Sequence, residues 1–400
     1  MKEVDRWMLP DGIEEMLPGQ AQQVEALRRR LVDVFQSWGY DYVIPPMVEF
    51  TDSLLTGSGQ DISLLTFKLT DQFSGKTLGV RADITPQVAR MDAHSLKRDG
   101  VNRLCYSGHV LHTKPKWPLA SRSPIQVGVE CFGASGIDGD IEVVSLLLST
   151  LEASGLPEQY LDLGHVAIYR ALSKAVGFSR KQEVALFELL QAKKFTEVAH
   201  WITREVSDEL HRVWLLALSK LSGDYTVLDK ASEVFKLAPH AVHDAIEQLK
   251  AVASVLCERF PNAKLYFDLS ELRGYHYLTG LVFGAFSPGV GNAIASGGRY
   301  DHIGEAFGRS RSATGFTVDL SAVYSLVQNN ICVLEDSGIF APAAEGKAFW
   351  DAVASLRADG EKVICGLSGQ TSPERYQVCN RILELTASGY HVKAIDETSE

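Results

Sequence analysis

Four polar, glycine-rich segments hold side chains whose types and spacing suit recognition of a small charged molecule. Arg81-Ala82-Asp83-Ile84-Thr85-Pro86 follows a strand-like run and opens a helical one. Its carboxylate and hydroxyl stand beside a helix N-terminus, a good place for a charged ligand; Asp83 or Thr85 acting as a helix cap is the other reading of the same residues. In Gln126-Val127-Gly128-Val129-Glu130 the two-residue strand period puts Gln126, Gly128 and Glu130 on one face and the valines on the other. A glycine between two polar residues leaves room for a ligand against a sheet, although an exposed antiparallel face has the same pattern. The run from Leu272 to Gly280 offers Arg273, able to grip a carboxylate bidentately, with Tyr275 and Tyr277 beside it. Ser296-Gly297-Gly298-Arg299-Tyr300-Asp301 reads as a glycine turn dense in polar groups. It is either a surface loop or part of a ligand floor that needs close backbone approach.

Generic catalytic signatures are missing. The chain has no P-loop, no G-x-G-x-x-G after a strand, no H-E-x-x-H and no G-x-S-x-G elbow. Its cysteines (Cys105, Cys131, Cys257, Cys332, Cys365 and Cys379) form no C-x-x-C pair, so neither a zinc site nor a disulfide framework is expected. No cofactor, metal or catalytic residue is predicted.

The elements that must position these segments follow from periodicity. Val24, Leu27, Leu31, Val34 and Phe35 recur at helical spacing over Gln20 to Trp38, and Gly39 ends that helix. Arg28, Arg29 and Arg30 read as its solvated face. Tyr40 to Val48 reads as a strand interrupted by Pro45 and Pro46, and residues 62 to 82 as a hairpin turning through Asp71 to Lys76. A helix over Pro86 to His94, strands over Leu104 to His112 and Ile125 to Phe132, and a helix over Asp140 to Ala153 come next. From about 168 to 262 the texture is helical, with amphipathic stretches over Arg180 to Gln191, Glu209 to Leu221 and Ala241 to Arg259. Strands return at Lys264 to Leu269 and Leu278 to Phe286, and Ser312 to Gln328 closes the region with a strand and a helix. Irregularly connected strands without βαβ repetition predict an α+β fold on an antiparallel sheet. Residues 329–400 predict a small α/β unit: helix Gly346 to Ala358, strand Lys362 to Leu367, helix Pro373 to Leu385, strand Tyr390 to Ile395.

With 400 residues, 46% hydrophobic and 22% charged, the chain has material for a sizeable core and more than one domain. A net charge of -11 does not favour loose attraction to nucleic acid. Met1 to Pro10 carries charges rather than an apolar run, and nothing approaches the roughly 18 consecutive apolar residues of a membrane span. The sequence thus predicts a soluble, cytoplasmic protein.

In order and spacing these segments resemble histidyl-tRNA synthetase, a class II aminoacyl-tRNA synthetase, over about residues 5 to 328. The likeness takes in Pro10-Asp11-Gly12, Leu17-Pro18, Trp38-Gly39-Tyr40 with Pro46 and Glu49, and the four segments above. It implies a class II antiparallel sheet flanked by helices, with a helical insertion and a separate C-terminal unit. It also implies a histidine pocket in which Asp83, Thr85 and Gln126 hold the α-amino group and Arg273 the carboxylate. Glu130 would accept a hydrogen bond from the imidazole, with Tyr275 or Tyr277 as a further contact. Asp83 is one methylene shorter than the synthetase glutamate, and Leu278 replaces the second tyrosine of the synthetase pair.

The departures shape the expected function. Where the synthetase has Phe-Arg-x-Glu, whose arginine clamps the ATP α-phosphate, this chain has Leu111-His112-Thr113-Lys114. Where the third motif ends in an arginine for the γ-phosphate, the position is Ala322. The loss of one preorganised donor typically costs about 10²- to 10³-fold in rate. Two such losses leave negligible activation, and a neutral imidazole is no substitute for a guanidinium fork.

A retained pocket without its chemistry resembles the regulatory subunit family of short-form ATP phosphoribosyltransferase. That resemblance implies a non-catalytic homodimer that binds the short catalytic subunit, activates it, and senses L-histidine, with no role for tRNA or membrane. A divergent histidyl-tRNA synthetase and a plain histidine-binding sensor module are the other readings.

Overall fold

The computed structural model describes residues 7–395 apart from 58, 119, 276, 331–337 and 375–378. The chain divides into two compact units, Met1–Asn330 and Ile331–Glu400.

Helix Pro18–Ser37 buries Val24, Leu27, Leu31 and Phe35 on one face, as its apolar spacing dictates. Gly39 follows at φ +83°, a left-handed turn that a side chain would resist. The chain then forms β1 (Asp41–Tyr42), and β2 (Val48–Phe50), β3 (Phe67–Thr70) and β4 (Thr77–Val80) make a separate antiparallel sheet. The single strand expected over Tyr40 to Val48 is therefore split between two sheets. Pro45 and Pro46 lack the N–H groups a ladder needs, and the chain changes sheets around them. The expected hairpin is present as β3 and β4, but Gln60–Leu65 ahead of it is helical.

β5 (Asn102–His109) and β6 (Ile125–Phe132) pair antiparallel, and helix Ile137–Ser154 packs on helix Pro18–Ser37. After β7 (Tyr160–His165), six helices run from Val166 to Arg259 around the two-residue β8 (Ser222–Gly223). β9 (Lys264–Asp268) then returns parallel to β7. Parallel neighbours need a long crossover, and the helical insertion supplies it.

β10 (Leu281–Phe286), β11 (Ala295–Arg299) and β12 (Ala313–Asp319) complete a nine-stranded sheet of order β1-β5-β6-β12-β11-β10-β7-β9-β8. From β5 to β7 every pairing is antiparallel, while β1 and β9 join in parallel. The fold is α+β, built on the antiparallel centre expected from the sequence. Every residue of β6 is buried. The Ser-Gly-Gly-Arg segment is not a turn: it lies in β11, where Gly297 and Gly298 pair with β10 and β12. Glycine punctuates turns, but it is also chosen where strands and side chains crowd together.

The second unit holds β13 (Gly338–Ala341), helix Lys347–Ala358, β14 (Val363–Cys365), β15 (Cys379–Thr386) and β16 (Gly389–Ala394), with strand order β14-β13-β15-β16. Ile339, Ala341, Phe349, Val353, Val363 and Leu383 form its core. The helix expected over Pro373 to Leu385 is wrong from Cys379 onward, and residues 375–378 lie outside the described residues. Ile382, Leu383 and Leu385 fit a helical stripe, but β15 is fixed by its ladder to β16, turning between Thr386 and Gly389. The five described cysteines are free thiols, with Cys105 and Cys131 buried; Cys332 lies outside the described residues.

Candidate ligand-binding site

A cavity of about 490 Å³ opens over the antiparallel centre, floored by β6, β10, β11 and β12. Asp83 and Thr85 reach it from the start of helix Thr85–Arg90, and Arg273, Tyr277 and Leu278 from the loop between β9 and β10. His112, Lys116 and Trp117 reach it from the segment between β5 and β6.

Glu130 is the buried centre of this cavity. The Tyr300 hydroxyl donates to one carboxylate oxygen, and the Tyr106 hydroxyl lies 3.3 Å from the other. Tyr106 in turn is 2.7 Å from the Thr317 hydroxyl and 3.2 Å from that of Thr85. Two glycines make room for the cluster. A Cβ at Gly128 would stand 2.6 Å from the Tyr106 hydroxyl, and one at Gly315 would stand 1.7 Å from a Glu130 oxygen. Burial pushes the Glu130 carboxyl up to about 8 against the pull of its hydroxyl donors, so at neutral pH it is largely protonated.

Asp83, Thr85 and Gln126 meet at one end of this face. The Ile84 N–H is shared by Asp83 Oδ1 at 2.8 Å and Gln126 Oε1 at 3.1 Å. The Thr85 hydroxyl is turned to Tyr106, so neither Asp83 nor Thr85 caps the helix with its side chain. At the other end the Arg273 guanidinium lies 3.3 Å from Glu271 and 5.4 Å from the centre of the Phe286 ring. The cation is thereby held over an aromatic face at the cavity wall.

Tyr277 lines the cavity and is 46% exposed. Tyr275 does not line it, which corrects the expectation of a direct ligand contact. Its ring is 8% exposed and stacks on Phe187 with centroids 5.1 Å apart, among the insertion helices. Gly274 between them takes φ +69°, a left-handed turn in the backbone, and Arg273 and Tyr275 end on different sides of the loop.

Tyr106, Tyr300 and Thr317 were missed as members of the Glu130 cluster. Tyr106 and Thr317 sit opposite Gly128 on its two neighbouring strands. Strand register brings them together, and a sequence does not display register. Arg299, expected in a polar loop, turns instead to helix Ile137–Ser154, with Nη2 3.0 Å from Asp140 in a buried pair.

The model of the histidyl-tRNA synthetase family matches residues 12–323, and that of the ATP phosphoribosyltransferase subunit HisZ C-terminal domain matches 336–393. The ATP phosphoribosyltransferase regulatory subunit of Saccharophagus degradans is 61% identical over 383 residues, covering 96% of this chain and 97% of that one. The regulatory subunit of Teredinibacter turnerae is 62% identical over 395 residues, covering 99% and 100%. The chain belongs to the ATP phosphoribosyltransferase regulatory subunit family. Among solved structures it is similar to an ATP phosphoribosyltransferase regulatory subunit/histidyl-tRNA synthetase from Bacillus halodurans, with TM-score 0.81, 25% identity and 93% and 96% of the two chains covered. Histidyl-tRNA synthetase from Nostoc sp. PCC 7120 shares the fold at TM-score 0.79 and 16% identity, covering 97% and 94%.

In this member of the regulatory-subunit family the part of the cavity lined by His112 and Asp319 is poor in positive charge. His112 is 1% exposed, with Nε2 3.0 Å from the Ala82 carbonyl. Burial lowers its imidazole to about 4, so it is neutral where the synthetase carries arginine. Lys114 is exposed. The Asp319 carboxylate accepts the Ala322 N–H at 3.1 Å, capping helix Leu320–Val327 at the position of the second missing arginine. Among the described lining residues the cations are Lys116 and Arg273, against the carboxylates of Asp83 and Asp319, with Glu130 largely protonated. Among the described residues no helix is long and apolar enough to cross a membrane, and no three His, Cys, Asp or Glu side chains gather into a metal-ligating group.

Proposed function

We propose that this chain is the non-catalytic, histidine-sensing subunit that activates a short-form ATP phosphoribosyltransferase catalytic subunit. One observation carries the reading: a single cavity keeps complementary groups for a zwitterionic imidazole amino acid while its polyphosphate end lacks both arginine clamps. Asp83, Thr85 and Gln126 accept the α-amino group, Arg273 pairs with the carboxylate, and Glu130 meets the imidazole. Buried polar groups left unpaired by a wrong ligand give such a site its discrimination. The nucleotide end offers a triphosphate one lysine, a neutral His112 and the Asp319 carboxylate, so adenylate formation loses the charge neutralisation on which it depends. Exposed Ile44, Met47 and Phe50 around the split strand suit self-association into a homodimer.

The test is the rate of a short-form catalytic subunit, alone and with this protein, at increasing histidine. The expected result is stimulation that histidine reverses. A rate unmoved by this chain at any concentration would rule the partner out, and histidine-dependent pyrophosphate–ATP exchange would then restore the synthetase reading.

A further inference from the structure

The loop from Ser270 to Gly280 joins β9 to β10 and carries Arg273 and Tyr277 into the cavity; Thr279 ties its end to Arg299 and Asp301, and its other attachments lie on the far side, in the helical insertion. Tyr275 is the main one. Besides stacking on Phe187, its ring meets the edge of Tyr169 at 5.3 Å, and its hydroxyl donates to the Glu183 carboxylate. Arg170 lies 4.8 Å from the ring centre and donates to the Tyr275 carbonyl at 2.6 Å. Tyr169 and Arg170 belong to helix Val166–Val176; Glu183 and Phe187 belong to helix Arg180–Gln191. The Tyr169 hydroxyl donates to the Glu183 carbonyl at 2.6 Å, so the two helices are tied to each other where they hold the loop. A second tie lies at the root of the loop, where Lys193 bonds Asp268 and lies 3.3 Å from Ser270.

The insertion otherwise does no work in the cavity: none of the described lining residues lies between 131 and 272. This loop links it directly to Arg273 and Tyr277.

We propose that Tyr275 is a positioning residue, clamping the loop to helices Val166–Val176 and Arg180–Gln191 so that ligand capture by Arg273 and Tyr277 tightens the insertion. This inference rests on the histidine-sensing reading. A ligand that favours one loop arrangement favours the insertion arrangement bolted to it, because a coupled equilibrium answers to differential affinity at either end. Tyr275 and its neighbours on residues 166–191 form the physical connection.

The experiment compares wild type, Tyr275→Phe and Glu183→Ala as full chains, by titration calorimetry with L-histidine and by amide hydrogen exchange with and without it. Tyr275→Phe keeps the aromatic stack and removes only the hydroxyl. Glu183→Ala removes the acceptor of the same bond from the insertion side, should the tyrosine variant fold poorly. Wild type is expected to bind histidine and to gain exchange protection in residues 166–191. Each variant is expected to bind about 10-fold or more weakly, the weight of a hydrogen bond to a charged group, and to lose that distant protection. The double variant should be no weaker than either single one, as for partners in one bond. If wild type binds histidine and both variants bind within about twofold of it with the same protection, the clamp is refuted and the sensing reading stands. If wild type itself does not bind histidine, both fall together.

Discussion

Glu130 carries a proton at neutral pH because burial in low-dielectric packing, with the Asp83 charge nearby, outweighs the hydroxyl donors that favour its ionised form. In the proposed complex, carboxyl and imidazole share that proton. Between about 6.5, where an unperturbed imidazole titrates, and about 8 for Glu130, the two partners approach with one proton between them and bind without exchanging any with solvent. Below this window the imidazolium must shed a proton; above it the carboxylate must regain one. Histidine affinity is therefore expected to peak between the two values and fall on either side, as calorimetry across pH would show. The same group sets a stability slope. A carboxyl whose folded value of about 8 lies above its ordinary 4.5 binds a proton on folding, so stability falls as pH rises through that interval. Glu130→Gln removes the titration. It is expected to raise the melting temperature above wild type at pH 8, with little change at pH 5, while abolishing histidine binding. Wild-type affinity in Glu130→Gln would remove Glu130 from the sensor.

At the scale of elements, the buried Arg299–Asp140 pair shows how the Ser-Gly-Gly-Arg-Tyr-Asp segment serves the site without touching ligand through its arginine. Arg299 bonds Asp140 and the Gly136 carbonyl, the latter at 2.8 Å, while the Thr314 hydroxyl reaches Asp140 at 2.6 Å. The next residue, Tyr300, is thereby presented to Glu130. Removing one member of a buried pair strands the other, at a cost of about 3–5 kcal/mol. Arg299→Leu is expected to lose that much in urea denaturation, and an unchanged midpoint would mean the pair is not structural. The alternation of polar and apolar residues in Gln126 to Glu130 was legible, because strand period alone sorts the two faces. The role of Arg299 was not, because its partner stands 159 positions away on a helix. Tyr275 was misread for a related reason: an aromatic residue in a polar loop looks like a ligand contact until the insertion helices are seen to cover it. In the second unit, β15 looked helical because a short apolar run fits both periods and only its ladder with β16 decides.

For the whole molecule, the proposed function makes the class II core a binding frame whose occupancy has to be felt by another protein. No bonds are broken at the cavity on this reading, so regulation must come from an equilibrium between two arrangements of the assembly. Histidine can shift that equilibrium only by the ratio of its affinities for the two, and linkage makes the effect mutual. Whatever factor histidine imposes on docking of the catalytic subunit, docking must impose on histidine. Calorimetric titration of histidine into this protein alone, and into its saturated complex with a short-form catalytic subunit, measures one side of the identity. Titration of the catalytic subunit with and without saturating histidine measures the other. The two factors are expected to agree. If histidine binds with the same affinity in both states yet still slows the reaction, it cannot act by shifting the docking equilibrium. Inhibition would then arise in a kinetic step within the intact complex, where reciprocity places no constraint.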